Sequence, residues 1–106
     1  MEQAPRDCPV EAALAAAFGK WKPIIIHHLL VGPLRFGELR RDIGGVTQRS
    51  LTLQLRQLEN DGLIRREVFA EVPPKVVYSL TDFGRTLAPV IESMRVWGEL
   101  LLERRA

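Results

Sequence analysis

The sequence predicts a mainly α-helical fold with one small β-hairpin, in a single domain of 106 residues. First, apolar residues recur at helical spacing along much of the chain, as Leu51, Leu55 and Leu58 do in one segment. Second, two segments with the composition of strands, 64–69 and 76–80, are joined by AEVPPK, whose prolines fit a loop and not a strand. Third, 46% hydrophobic and 26% charged residues are typical of a folded globular chain.

The first two helices are indicated by strong helix formers and by prolines at positions where a helix tolerates them. Helix one is predicted over about 10–18, because VEAALAAAF is rich in alanine and Pro9 can occupy the first helical position. A second, mostly buried helix is predicted over 21–31, with Pro23 in its first turn and a Gly-Pro pair after its end. The N-terminal helices are therefore expected within residues 8–31.

A short helix, a glycine turn and a longer helix make up residues 35–62, the pattern of a helix-turn-helix. In RFGELRRDI the apolar residues fall on one side and two arginines away from it, and two glycines then end this third helix. The hydroxyl of Thr47 can cap the fourth helix, which buries the three leucines named above. With the hairpin at 64–80 as a wing, the predicted fold is a winged helix-turn-helix.

The last helix is predicted over 82–104, capped by Thr81 and bent or disturbed in its early turns by Pro89. Its apolar stripe is broader than one side of a small domain can cover, so a partner subunit is expected and the fold is predicted to be dimeric. Trp21 and Trp97 could line an effector pocket, but large aromatic side chains near helix ends favour the core. The stripe consists of Phe83, Leu87, Val90, Ile91, Met94, Trp97 and Leu101.

The charge distribution and the single cysteine narrow the class of protein. The net charge is +2, and residues 20–56 hold seven lysines and arginines against two acidic residues, which indicates an anionic partner for the middle of the chain. The longest apolar stretch, PIIIHHLLV, is too short for a membrane span, and no secretory signal opens the chain. Cys8 cannot form an internal disulfide. We therefore expect a cytoplasmic protein with no membrane partner.

The outward side of helix four carries side chains suited to DNA. At about 100° per residue, Arg49, Leu53 and Arg56 lie opposite the three leucines, Thr52 lies on the flank and Gln48 lies in the first turn. Arginine can pair with guanine and glutamine with adenine in the major groove, and a helix N-terminus attracts phosphate. Such a face can also be merely solvated, but its place between a turn and a hairpin, inside the basic region, favours double-stranded DNA.

Residues outside helix four complete the expected DNA contacts. Lys75 lies at the exit of the hairpin loop, where contacts with phosphate or the minor groove are expected. Arg65 and Arg66 are explained equally well as DNA contacts and as solvated residues of the hairpin. The expected DNA-binding set comprises Thr47, Gln48, Arg49, Thr52, Leu53, Arg56, Arg35 and Lys75.

Four motifs in order resemble the HxlR-type family of bacterial transcriptional regulators, a branch of the winged-helix proteins related to MarR. They are GKWKPIIIHHLL, GPLRFGELRRDIGGVTQRSLTLQLRQLENDGLI, REVFAEVPPKVVYSLTDFG and the helix that follows. The resemblance implies a homodimer that binds an inverted-repeat operator with helix four and uses the hairpin as a wing. It also implies that the N-terminal segment and the C-terminal helix form the dimer contact. The dimerisation residues expected on this basis are Val10, Leu14, Val90, Met94, Trp97 and Leu101.

Cys8 is a candidate redox-sensing residue. It precedes Pro9 at the start of helix one, so the helix dipole and the neighbouring Arg6 favour its thiolate, whereas Asp7 opposes it. Several members of the family that the sequence resembles use a cysteine at this N-terminal position to sense electrophiles, oxidants or aldehydes. A half-buried cysteine at a dimer contact is the alternative interpretation, and the residues alone leave both open.

The sequence does not indicate an enzyme, a cofactor or a metal site. It has no glycine-rich phosphate loop and no Cys-x-x-Cys pair, and a thiol enzyme based on Cys8 lacks a base. His27 and His28 point about 100° apart on a helix and so cannot share a metal ion. We expect a bacterial transcriptional regulator that binds an operator as a homodimer, with a small electrophile or oxidant as effector. The alternative is a winged-helix module that binds protein without sequence-specific binding of DNA.

Overall fold

The computed structural model describes residues 8–106. Its helices and strands follow the predicted order, with a two-residue first strand and a short penultimate helix in addition. No helix among the described residues is long and apolar enough to cross a membrane. In chain order the elements are α1 (Pro9–Ala17), α2 (Lys22–Leu29), β1 (Leu34–Arg35), α3 (Phe36–Ile43), α4 (Gln48–Asn60), β2 (Ile64–Phe69), β3 (Lys75–Leu80), α5 (Asp82–Arg85) and α6 (Ala88–Arg105).

Three antiparallel strands form the sheet, in the order β1-β3-β2. The predicted hairpin is confirmed, with β2 at its predicted bounds and β3 beginning at Lys75, one residue earlier than predicted. The first strand, β1, is not predictable from the sequence, because a strand of two residues has no periodicity of its own. It exists only through its pairing, of Leu34 with Tyr78 and of Arg35 with Val77. Arg35 is thus a strand residue and the N-cap of α3 instead of part of that helix.

The core lies where α2, α3 and α4 pack against each other and against the sheet. The three leucines that helical spacing places together on α4 are all buried, which confirms that face. Most of α2 is buried as predicted, whereas α1 contributes only Ala17 to the core and α6 only Ile91. The two outer helices therefore leave most of their apolar side chains outside it. The fully buried large side chains are Ile25, Ile26, Leu29, Leu39, Leu51, Leu55 and Leu58.

The turn between α3 and α4 sets the direction of the longer helix. Gly44 and Gly45 have φ angles of 71° and 72°, a left-handed conformation that other residues rarely adopt. Thr47 caps α4 as predicted, since its Oγ1 accepts the backbone N–H of the third residue after it at 3.0 Å. Arg40 makes a further contact with this turn: its Nε donates to the carbonyl oxygen of buried Val46 at 3.2 Å. Helical periodicity does not predict this contact.

The C-terminal segment is not the single helix predicted over 82–104. It forms α5 and then α6, and Pro89 lies in the first turn of α6. Proline has no N–H to donate to the carbonyl four residues earlier, so the helical hydrogen bonds of α5 cannot continue through it. The effect of Pro89 is thus a break rather than a bend. Phe83, on the short helix, is exposed and does not join the stripe of α6.

Trp97 is not a core residue of this chain, contrary to the interpretation from sequence. Its side chain is 63% exposed, because α6 runs beyond the domain after its one buried residue, Ile91. Trp21 does pack against the core and is half-buried, as expected. The ammonium group of Lys20 lies 4.8 Å from the centroid of the Trp21 ring, a cation–π contact that covers the ring from outside.

Gly84 lies where α5 meets the chain that enters the hairpin. Its N–H donates to Thr81 Oγ1 at 2.9 Å, and the same hydroxyl donates to the carbonyl oxygen of Gly62 at 2.6 Å. A Cβ atom on Gly84 would overlap the carbonyl oxygen of Leu63 and lie 3.0 Å from its carbonyl carbon. Only glycine therefore allows these two backbone segments to come so close.

Gly84→Ala is expected to lower the free energy of unfolding by about 1–3 kcal/mol, since the added methyl group must displace backbone atoms. Gly37→Ala is the matched control, because Gly37 is exposed in α3 and a Cβ there meets nothing within 4 Å. Alanine also forms helices better than glycine, so the control should keep or slightly raise stability. Urea unfolding measures both variants. Equal stability of Gly84→Ala and the wild type would contradict the close approach.

Candidate nucleic-acid interface

The outward face of α4 is exposed along its length. The three core leucines of this helix are at most 1% exposed, whereas Leu53, on the opposite side, is 52% exposed. Arg49 and Arg56 are exposed as well, and Thr52 on the flank is half-buried. The helix thus has the two faces that its sequence predicts, one in the core and one open to a partner.

Five of the eight side chains expected to contact DNA surround one open cavity of about 570 Å³ on this face. The arginines supply planar sets of N–H donors, and Gln48 supplies an amide that both donates and accepts. Leu53 adds an apolar surface of the kind that contacts a thymine methyl group. The cavity therefore combines the groups that recognise base edges in the major groove. It is lined by Gln48, Arg49, Thr52, Leu53 and Arg56.

The two threonines of the expected set have hydroxyl groups that are already engaged within the protein. Thr47 Oγ1 accepts the capping hydrogen bond at the start of α4. Thr52 Oγ1 donates to the carbonyl oxygen of Gln48 at 2.8 Å. A hydroxyl has one hydrogen, so Thr52 can accept but not donate a further hydrogen bond in this arrangement. The strong donors of this face are Gln48, Arg49 and Arg56.

Arg35 and Lys75 lie apart from this cavity and do not line it. The backbone N–H of Arg35 donates to the carboxylate of Glu38 at 2.8 Å, at the start of α3, and its side chain is exposed. Lys75 begins β3, and its Nζ lies 5.0 Å from the centroid of the Phe69 ring on the neighbouring strand. Any contacts that these two residues make with DNA must therefore be separate from those of α4.

The register of the hairpin places its two arginines on opposite faces of the sheet. Arg66 is opposite Tyr78, whose side chain belongs to the core, so Arg66 lies on the face that packs against the helices. Arg65 is opposite Ser79 and lies on the other face. The sequence pattern does not distinguish the two arginines, and only the register separates them.

A second cavity, of about 190 Å³, lies between α4 and the hairpin and includes two residues, Glu59 and Tyr78, that the sequence pattern does not single out. Glu59, near the end of α4, forms an ion pair with Arg66, with 3.6 Å between Oε1 and Nε. The available signal was the spacing of Thr52, Arg56 and Glu59, which places them along one side of the helix. We call this cavity the polar cleft; it is lined by Thr52, Arg56, Glu59, Arg66 and Tyr78.

Burial raises the pKa of the Tyr78 phenol above its ordinary value of 10.0; the carboxylate of Glu59 adds to this shift, and Arg66 and Arg56 oppose it. The phenol is therefore protonated at neutral pH and can donate a hydrogen bond. Because its pKa is raised in the folded protein, the contribution of this group to stability is complete below pH 10.0. That contribution is lost as the pH rises through the raised value.

A large apolar surface of α1 and α6 is open to solvent. Val10 is 67% exposed, and α1 as a whole buries only one residue. Of the six residues expected at a dimer contact, five are exposed and Leu101 is half-buried. Exposed apolar side chains in this number are typical of protein–protein contacts.

The opposite side of α6 is charged. Arg95 forms ion pairs with Glu92 and Glu99, with N···O distances of 2.7 and 2.6 Å. The hydrogen bond from Arg95 lowers the pKa of Glu92, and the same hydrogen bond raises the pKa of Arg95. Beside these ion pairs, α6 keeps exposed apolar side chains such as Trp97 and Leu100 that nothing in the described chain covers.

Cys8 lies at the N-cap of α1 as a free, half-buried thiol. Its carbonyl oxygen accepts the N–H of Ala12 at 3.0 Å, the first hydrogen bond of the helix, and its side chain makes no capping hydrogen bond. Arg6 and Asp7, which the sequence analysis expected to act on the thiol, lie outside the described residues. The thiol thus lies at the start of α1, two residues before the exposed Val10.

The two histidines of α2 contact each other. The ring centroids of His27 and His28 are 5.5 Å apart, in an edge-to-face arrangement. Across residues 8–106, no three His, Cys, Asp or Glu side chains come close enough together to hold a metal ion.

A helix-turn-helix, a hairpin wing and a second helix with an arginine- and glutamine-bearing outward face define a transcriptional regulator of the winged, MarR-like class. The chain belongs to the HxlR-like helix-turn-helix family, whose profile matches residues 17–106. This membership confirms the resemblance that the sequence motifs carry.

Similar proteins agree with this assignment. The HTH-type transcriptional regulator YdeP of Bacillus subtilis (strain 168) is 58% identical over 97 residues, which are 92% of this chain and 76% of that protein. Among solved structures, the redox regulator HypR in its oxidized form is 56% identical with a TM-score of 0.83, covering 87% of this chain and 95% of its own. The reduced form of the transcriptional regulator YodB from B. subtilis is 36% identical with a TM-score of 0.76, covering 88% of this chain and 91% of its own.

Proposed function

We propose that this chain regulates transcription as a homodimer whose two copies of α4 bind the half-sites of an inverted-repeat operator. The observation that carries the proposal is the open cavity on α4, where Gln48, Arg49, Leu53 and Arg56 face outward together. Arginine and glutamine match the hydrogen-bonding edges of guanine and adenine in the major groove. The capped start of α4 favours a phosphate close by, which would set the depth of the helix in the groove.

The residues of this face have different proposed roles. In a helix-turn-helix, the N-terminal part of the second helix contacts base edges, so Gln48 and Arg49 are assigned to bases and Leu53 to a thymine methyl group. Thr47 lies at the helix start, and the backbone N–H groups beside it are assigned to the DNA backbone. Arg35 and Lys75, outside the cavity, are assigned to flanking phosphates, which fix the orientation of the protein on the duplex.

A homodimer is supported by the uncovered apolar surface of α1 and α6. Two chains related by a two-fold axis would cover that surface on both, as closed symmetric dimers do. The same axis presents two copies of α4 to one side of the DNA. The half-sites are therefore expected one or two helical turns apart.

A gel shift with the DNA that flanks the gene for this chain tests the proposal. We expect a specific affinity of about 10⁻⁸ to 10⁻¹¹ M at physiological salt, and a footprint that protects an inverted repeat. Protection of one asymmetric half-site would contradict the dimeric arrangement. Failure to shift any duplex would favour the alternative, a winged-helix module that binds protein.

The regulator is further proposed to respond to electrophiles or oxidants through Cys8. Support comes from its half-buried thiol at the start of α1 and from the similarity of the chain to the redox regulator HypR. Cys8 is the one cysteine of the sequence, so its reversible oxidation products are a sulfenic acid, a mixed disulfide with a small thiol, or a disulfide between two subunits. Each product alters the segment beside the proposed dimer contact and could change the spacing of the two α4 helices.

Treatment with diamide or with a quinone is expected to weaken operator binding by the wild type at least about fivefold, the lower end of common allosteric effects. Cys8→Ser should bind as tightly as the untreated wild type and should not respond. Fluorescence anisotropy with the operator duplex measures both, and dithiothreitol after diamide should restore the wild type. Equal loss of affinity in both proteins, or no response in either, would show that Cys8 is a packed thiol without a sensor role.

A further inference from the structure

The polar cleft opens onto the recognition face of α4. Thr52 and Arg56 line both the cleft and the larger cavity, so the two spaces are contiguous along one side of the helix. The remaining lining residues come from the end of α4 and from the hairpin, which places the cleft between the proposed base-reading helix and the wing. A duplex whose major groove receives α4 would therefore pass its backbone along the mouth of the cleft.

The cleft combines hydrogen-bond donors from three separate elements of the chain. Arg56 comes from α4, Arg66 from β2 and the phenol of Tyr78 from β3. In the described part of the chain, the Tyr78 hydroxyl has no hydrogen-bond partner and Arg56 has no carboxylate partner. Both groups can therefore donate to a molecule that enters. Thr52 adds no donor, since its hydrogen is given to the carbonyl of Gln48.

The charge and size of the cleft fit one singly charged oxyanion. Two guanidinium groups and the carboxylate of Glu59 leave a net charge of +1 around the cavity. Its volume of about 190 Å³ is several times the roughly 30 Å³ of a water molecule in the liquid, so it can admit a tetrahedral phosphate group. Guanidinium groups match phosphate oxygens in geometry as well as in charge.

We propose that the polar cleft is a binding site for one phosphodiester group of the DNA backbone, held by Arg56, Arg66 and the hydroxyl of Tyr78. This inference rests on the proposed function, because it needs DNA as the partner. Glu59 is a positioning residue: its ion pair with Arg66, at 3.6 Å, holds that guanidinium beside α4 instead of letting it extend into solvent. A phosphate bound by residues of both elements would connect the hairpin to α4. The orientation of the wing would then affect how α4 lies in the major groove.

An ion pair that only fastened the hairpin to α4 would have different consequences. Such a pair contributes to folding, and its loss would leave the salt dependence of DNA binding unchanged. A phosphate contact releases a counterion from the DNA, so its loss lowers the slope of the logarithm of affinity against the logarithm of salt concentration. The salt slope therefore separates the two roles of Arg66.

The test measures affinity for a duplex of unrelated sequence and for the operator between 50 and about 200 mM salt, a range over which phosphate contacts dominate. Arg66→Gln is expected to weaken both complexes by roughly tenfold and to lower the salt slope by about two units, one for each subunit of the dimer. Tyr78→Phe keeps the buried ring and removes only the hydroxyl, so it should weaken both complexes by several-fold without changing the slope. Thermal melting checks that each variant is folded.

Arg65→Gln is the matched control, because it removes the same charge from the adjacent position on the opposite face of the sheet. It should alter affinity and slope much less than Arg66→Gln does. Equal effects of the two substitutions, or wild-type affinity in both Arg66→Gln and Tyr78→Phe, would overturn the phosphate site while leaving DNA binding intact. A wild type that binds no duplex at 50 mM salt would instead overturn the proposed function, and the phosphate site with it.

Discussion

Trp97→Glu is expected to separate the dimer into monomers and to weaken operator binding by at least about a hundredfold. Trp97 is 63% exposed on α6, beside the exposed Val90 and Met94, so these side chains are available to a second copy of the chain. A carboxylate at the centre of an apolar contact must lose its hydration without gaining a partner, which opposes association. A monomer holds one half-site at a time and loses the gain of roughly 10²–10⁴ that two linked contacts provide.

Sedimentation equilibrium and fluorescence anisotropy measure the two expected effects of Trp97→Glu. The wild type should sediment at twice the 12.0 kDa of one chain, and the variant at that mass. Val31→Glu is the control, because Val31 is also an exposed apolar residue but lies just after α2, outside the surface of α1 and α6. It should remain dimeric and bind the operator normally. A wild type that is monomeric at micromolar concentration would contradict the dimer.

Arg49→Ala and Arg56→Ala are expected to weaken operator binding strongly while leaving the free energy of unfolding almost unchanged. Both side chains are exposed on the face of α4 that lies opposite its core leucines, so neither contributes to packing. A bidentate contact with a base contributes about 1–3 kcal/mol, and each substitution occurs in both subunits of a dimer, which doubles the loss. The two substitutions should also differ in how the loss of affinity depends on the DNA sequence.

Loss of a base contact relaxes the preference at one base pair, whereas loss of a phosphate contact weakens all sequences alike. Arg49, in the first turn, should show the first pattern, and Arg56, which also lines the polar cleft, should show the second. A set of operators with single base-pair changes distinguishes them. Arg41→Ala, at an exposed arginine of α3, is the control and should leave affinity within about twofold of the wild type. If neither variant of α4 changes DNA affinity, this helix does not bind the operator.

Much of the candidate site could be predicted because its residues lie on one helix. The periodicity of α4 separates core leucines from outward side chains without any knowledge of the rest of the chain. The sequence alone therefore assigns five residues to one face, and the structure places all five around one cavity: Gln48, Arg49, Thr52, Leu53 and Arg56. Arg35 and Lys75 are predicted only from their place in the chain, and neither of them lines that cavity.

The polar cleft could not be predicted, because it joins side chains from elements that are far apart in sequence. Tyr78 lies 22 positions after Arg56, and its neighbourhood depends on how the hairpin folds back onto α4. A shift of the register by one residue would have placed Arg65 instead of Arg66 on the face of Tyr78. The local sequence pattern therefore identifies the charged residues but not the face of the sheet on which each side chain lies.

The sequence by itself determined the order of the elements, the buried face of α4, the glycine turn and cap before it, and the hairpin. These depend on spacing, on left-handed glycines and on capping hydroxyl groups, all of which act over a few residues. The tertiary structure alone decided the pairing of β1 with β3, the contact of Arg40 with the turn, the glycine required at Gly84 and the exposure of Trp97. Each of these depends on which distant backbone or side chain comes within contact distance, and that is determined by packing rather than by local spacing.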